Sequence, residues 1–127
     1  MIIHMDKPLP PQPPEKEEGN KEYKRYLSCR NSNPDCKKKF IDKRASQMLY
    51  RLIEGDGKAV YLLGVDDDGT IFSLRNELIY ETIDYLKLIA NKIDANIIVI
   101  RIYNNNVCSV RIQLPLFKLK NIKREIF

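Results

Sequence analysis

The sequence predicts an α+β fold: a single mixed β-sheet with two helices on one face, in the order β-α-β-β-α-β-β. Three observations carry this prediction. Apolar residues recur at helical spacing in two separate segments. Between those segments runs a continuous apolar stretch of strand length, Ala59 to Val65 (AVYLLGV). Two more apolar segments, Asn96 to Tyr103 and Val107 to Leu114, flank the turn residues Asn104-Asn105-Asn106. Laying both helices on one sheet buries both apolar stripes at once.

Residues 1–19 read as a leader. Pro8, Pro10, Pro11, Pro13 and Pro14 impose extended backbone, and the acidic run Glu15 to Glu18 follows. A stiff linker is the expected role, with a proline-motif ligand as the alternative. Glu22 to Cys29 reads as a strand with charged flanks. Arg30 to Asp35 has turn chemistry, with Asn33 or Asp35 available as a helix cap and Pro34 suited to a first turn.

In the helix that follows, Ile41, Ala45, Met48, Leu49 and Leu52 form the inward stripe, while Lys39, Lys43 and Arg51 fall off it. Gly55 and Gly57 end that helix. Ala59 to Val65 is then expected as a central strand buried on both faces. Asp66 to Gly69 makes an acidic turn, and Thr70 to Leu74 a short return strand. The second helix covers about 76–94, with Ile79, Ile83, Leu86, Ala90 and Ile93 inward. Asparagine tolerates positive φ, which suits the Asn104–Asn106 turn between the last two strands. The tail, 117–127, is basic and apolar with no evident partner of its own.

A chain of 127 residues fits one domain, here 20–116, with room for a core that needs neither disulfide nor metal. The net charge of +5 permits contact with a phosphate-rich surface, although the cations are spread along the chain. Cys29, Cys36 and Cys108 lack the paired spacing of a structural zinc site, and His4 is the only histidine. Three reduced thiols suit a cytoplasmic protein. No apolar run approaches the roughly 18–20 residues of a membrane span, and no signal-type apolar segment opens the sequence. No cofactor, metal or membrane partner is therefore expected.

Several motifs in this order resemble a known family. Leu9-Pro10-Pro11, Glu17-Glu18-Gly19-Asn20 and Glu22-Tyr23-Lys24-Arg25 look like the N-terminal region of the GTP-binding protein 1 and 2 family, large GTPases related to translation elongation factors. Gln47-Met48, Arg51-Leu52 and Glu54-Gly55 match its Q-M-x-x-R-L-x-E-G helix end. Gly57, Ala59-Val60-Tyr61, Gly64-Val65, Asp67 and Gly69 match its following strand and turn, and Leu86 and Ala90 its second helix. The resemblance spans about 9–112. Tyr50 departs from it, standing where the family usually has tryptophan, as does Ser73, where glycine is usual before the second helix. Lys37-Lys38-Lys39 lies near an apparent insertion.

The phosphate-binding motif G-x₄-G-K-[ST] of that family's GTPase domain is absent from this sequence. Its nearest approach, Gly55-Asp56-Gly57-Lys58-Ala59, has the wrong glycine spacing and no hydroxyl after lysine. It also sits at a helix C-terminus, where the dipole repels phosphate. The resemblance therefore implies the family's N-terminal domain without its motor. It would be a non-catalytic binding or adaptor domain in translation or RNA quality control, meeting ribosome, RNA or a GTPase domain in trans.

The E-Y-K and G-V-D-D-x-G segments are also similar to the Schlafen/AlbA-like fold, which includes nucleic-acid binders and metal-dependent RNA-cleaving enzymes. A divalent-metal nuclease needs two or three convergent carboxylates with a cation nearby for phosphate. Glu17, Glu22 and Asp66 or Asp67 are the residues that would supply them, with Lys24 beside Glu22. The competing demand is structural, since a tight turn and a solvated leader both use acids. For plain RNA contact the candidates are Lys24, Arg25, Arg30, Lys37, Lys38, Lys39, Lys43 and Arg44, with Tyr23 and Tyr26 placed to stack on bases. Tyr26 serves equally well as a core residue.

Overall fold

The computed structural model describes residues 1–30 and 32–126. Its elements are β1 (Ile2–His4), β2 (Lys21–Lys24), α1 (Pro34–Glu54), β3 (Lys58–Leu63), α2 (Asn76–Lys92), β4 (Asn96–Ile102), β5 (Cys108–Gln113) and α3 (Leu116–Ile126). The strands form one five-stranded mixed sheet in the order β1-β4-β5-β3-β2. β1 runs parallel to β4 and β2 parallel to β3, while β5 is antiparallel to both of its neighbours.

Local chemistry explains where the helices begin and end. Asn33 caps α1 by accepting the Asp35 N–H at 2.9 Å, and Pro34 occupies the first turn, where its missing N–H costs nothing. At the other end Gly57 N–H donates to the Leu52 carbonyl and Asp56 N–H to that of Ile53. Asp56 (φ 54) takes the left-handed position of this cap, with Gly57 after it. The amides of Asp56, Gly57 and Lys58 are thus spent on closing the helix, so this loop offers no cradle for phosphate.

Both long helices lie on one face of the sheet. Ala45, Met48 and Leu52 of α1 join Ile79, Ile83, Leu86, Ile89 and Ala90 of α2 against Tyr61, Leu63, Ile100, Val110 and Ile112. α3 adds Leu119 to the same core, which gives the basic tail a partner that the sequence did not reveal. A smaller cluster occupies the opposite face, where Tyr23, Leu62 and Val65 are covered by Leu9, Val60 and Ile71.

Three sequence-based expectations are corrected. First, residues 1–19, expected as a stiff linker, are bound to the sheet. Ile2–His4 pairs with Ile100–Ile102, and the proline-rich segment lies on the sheet, with Leu9 in the second cluster. Second, Thr70–Leu74 forms no return strand in the sheet. β3 already has β2 on one side and β5 on the other, so only a single bridge, Val65 to Ile71, closes the acidic turn. For the same reason β3 is interior but not central. Third, the strand expected over Glu22–Cys29 ends at Lys24. Beyond it Leu27 is buried and exchanges hydrogen bonds with the Thr82 hydroxyl of α2.

Candidate functional site

β2 is an edge strand, and its exposed backbone would be an open pairing surface. The leader closes it. The Glu15 carboxylate accepts the Tyr23 N–H, and the Glu15 N–H donates to the Asp67 carbonyl at 2.7 Å. Gln12 N–H donates to the Gly69 carbonyl at 3.0 Å. Asn105, at the tip of the β4–β5 hairpin, holds Leu9 by both its backbone groups, at 3.1 and 2.9 Å. Gly69 is needed here on two counts. Its φ is 92°, and a Cβ would lie 1.8 Å from the Gln12 carbonyl oxygen.

Arg51 anchors the far end of the leader. Its Nε donates to Glu22 Oε1 at 3.0 Å, and its terminal nitrogens donate to the carbonyls of Lys16, Glu18 and Gly19 at 2.9 to 3.1 Å. A planar guanidinium suits this task because one rigid fork meets several acceptors at fixed angles. Lys24 Nζ lies 3.7 Å from the other oxygen of Glu22. Burial, then the nearby carboxylates of Glu22 and Asp67, push the Glu15 carboxyl upward, while the Tyr23 N–H opposes them. Arg51, expected off the inward stripe of the helix, is nonetheless 4% exposed, because β2 and the leader cover it. The available signal was its position three residues after Met48 and beside Leu52, at the border of the stripe.

Of the carboxylates considered for metal chemistry, Glu22 and Asp66 have structural partners. Glu17 is exposed on the leader. Glu22 points to the helix layer and is held by Arg51 and Lys24. Asp66 bonds Arg25 Nε at 2.6 Å, and Asp67 supplies the carbonyl that the leader uses. Asp68 accepts the Thr70 N–H, and that bond holds its carboxyl below the usual range. Among the described residues, no three histidine, cysteine, aspartate or glutamate side chains lie close enough to share a metal ion.

The cations divide into two groups. Arg30, Lys37, Lys38, Lys39 and Lys43 are exposed in the loop before α1 and along its N-terminal half, and none enters an ion pair among the described residues. Lys37 Nζ sits 5.5 Å from the Tyr85 ring centre. Lys24, Arg25 and Arg44 are more occupied. Lys24 pairs with Glu22, and Arg25 with Asp66. Arg44 lies 3.7 Å over the Phe40 ring, and burial lowers its pKa.

Tyr23 cannot stack on a base as proposed from sequence. It is 3% exposed, and its hydroxyl donates to the Pro13 carbonyl. Tyr26 is available instead, half-exposed at 6.5 Å from the ring of Phe72, over which Arg25 also lies at 4.8 Å. Sequence reasoning missed Phe72 by assigning it to a paired strand.

No family model matches this chain, and no solved structure does. It is 39% identical over 89 residues to GTP-binding protein 2 of human and of mouse. The chain carries a segment related to GTP-binding protein 2. That match covers 70% of the chain and 14% of GTP-binding protein 2. An uncharacterized protein of Acanthamoeba polyphaga mimivirus is 34% identical over 111 residues, 86% of this chain and 56% of the viral protein. The chain thus spans little more than half of one relative and about a seventh of the others.

Proposed function

We propose that the chain is a non-catalytic binding domain that contacts RNA, free or within the ribosome, in translation or RNA quality control. The observation that carries this reading is the exposed basic surface of Arg30, Lys37, Lys38, Lys39 and Lys43, which enter no ion pair among the described residues. Solvated cations that outnumber the interleaved acids Asp35 and Asp42 attract phosphate through counterion release, with little choice of sequence. The relationship to a segment of GTP-binding protein 2 supports a setting beside a GTPase, met in trans as a second partner. The three thiols, none in a disulfide, support a cytoplasmic location.

Co-sedimentation with ribosomes and binding to a labelled RNA test the reading. Reversal of charge at Lys37, Lys38 and Lys39 should weaken binding and lower the salt slope by about 2, at roughly 0.7 per single-strand phosphate contact. Unchanged binding at low salt rejects the proposal. Incubation of RNA with the wild-type chain and Mn²⁺ or Mg²⁺ should leave the RNA intact. Metal-dependent cleavage would reject the non-catalytic reading. Glu22→Ala is a poor control in that assay, because removing the carboxylate leaves the Arg51 charge buried without its counterion.

A further inference from the structure

The leader covers only part of the sheet face opposite the helices. It crosses near the β4–β5 hairpin, where Asn105 holds Leu9, follows the β2 edge past Tyr23 and Lys21, and leaves Lys58, Arg111 and Gln113 exposed. Strand register shows what lies there. Lys21 and Arg111 flank Val60 on the neighbouring strands, Lys58 pairs with Gln113, and Arg111 pairs with Val99 on its other side. Alternation places Lys21, Lys58, Val60, Arg111 and Gln113 on one surface, with Arg101 beside Ser109 farther along. A register shift between Ile97 and Val99 leaves Ile98 47% exposed.

Part of this surface is a shallow cleft of about 340 Å³, floored by Val60 and Ile98 and bordered by Asn20, Lys58, Arg111 and Gln113, with Lys21 and Arg101 outside it. Among the described residues Glu22 is the only acid in a strand, and it points to the opposite face. Among the described residues, Lys21, Lys58, Arg101 and Arg111 enter no ion pair.

We propose that this open sheet face is a second nucleic-acid site, which takes the phosphodiester backbone of single-stranded RNA. The inference rests on the RNA reading above and adds a surface that reading does not use. Charge complementarity selects the occupant: four cations share one face, and the acid that borders them is Glu18 of the leader, beside Lys21. Asn20 and Gln113 add amide donors and acceptors at the rim. Tyr23, the aromatic residue of this face, lies beneath the leader, so contact is with phosphates and tolerant of sequence.

Fluorescence anisotropy with a labelled twelve-nucleotide oligouridine tests the site across a salt series. Lys58→Glu with Arg111→Glu should weaken binding at least tenfold and lower the salt slope by about 1.4, at roughly 0.7 per contact. Lys58→Gln with Arg111→Gln should give a smaller loss in the same direction, and it guards against misfolding of the reversed pair. Full affinity in both variants, with loss on reversal at Lys37 to Lys39, overturns the sheet site and leaves the proposed function standing. No RNA binding by the wild-type chain at 50 mM salt overturns both. Equal binding of a polyglutamate peptide, equally sensitive to the two substitutions, overturns RNA as the occupant.

Discussion

Arg51 and Glu22 meet at 3.0 Å with their side chains 5% and 9% exposed, joining the first long helix to the edge strand. The pair also decides where the leader goes, because the remaining Arg51 donors are used on leader carbonyls.

Arg51→Ala should cost about 3–5 kcal/mol in urea unfolding, since it leaves a buried carboxylate and leader carbonyls unpaired. Arg51→Lys should recover little of this, because one ammonium cannot reach every acceptor of the fork. Stability of Arg51→Lys within about 1 kcal/mol of wild type would show that the fork geometry is unimportant.

Gly69→Ala should lose roughly 1–2 kcal/mol from backbone conformation alone. Steric conflict with Gln12 adds to that and displaces the leader. The displacement should appear as faster amide exchange and proteolysis between Met5 and Gly19. An unchanged proteolytic pattern would mean that the leader does not depend on this approach.

Ser73 has a φ of 56°. Glycine bears that conformation without the Cβ penalty, so Ser73→Gly should stabilise the fold by roughly 0.5–1 kcal/mol after its own entropy cost. A lower melting temperature for this variant would contradict the backbone explanation for the glycine that the resembled family usually has where Ser73 stands.

Burial, followed by the neighbouring Glu22 and Asp67 carboxylates, raises the Glu15 carboxyl above the ordinary carboxylate range in the folded state. The folded chain therefore holds the proton more tightly than the unfolded chain, and the contribution of this group to stability falls as pH rises through the raised pKa. Glu15→Gln carries no titrating group, so its stability should gain on wild type across that window. Parallel stability curves for the two proteins, from pH 4 to 7, would remove this assignment.

Local periodicity made much of the fold legible. Ala45, Met48 and Leu52 in one helix and Ile79, Ile83, Leu86 and Ala90 in the other are buried as their spacing requires. Asn33 and Pro34 announced the first helix, and the asparagine turn closes the hairpin with Asn106 at φ 59°. The leader was illegible because its contacts have no period. Proline supplies extended backbone in a linker and on a sheet alike, and what fixes it are single side chains far away in sequence, Asn105 and Arg51. Arg51 was misjudged because a charged residue on a helix is usually solvated, and its partners lie outside the helix. The basic loop and helix were readable as charge. The cations of the sheet became a group only through register, which sets Lys21, Lys58 and Arg111 side by side.

The pairing of Ile2 with Ile100 has a consequence for synthesis. A ribosome delivers the first strand long before the strand it must join, and β4 is itself flanked by β5 on its other side. Ile2–His4 and the proline segment therefore wait until β4 has emerged. Closing so long a loop is slow, and an unpaired strand left waiting is open to the wrong neighbour. The stiff prolines between β1 and β2 limit how far that waiting end can wander, and they hold it extended for the surface it finally meets.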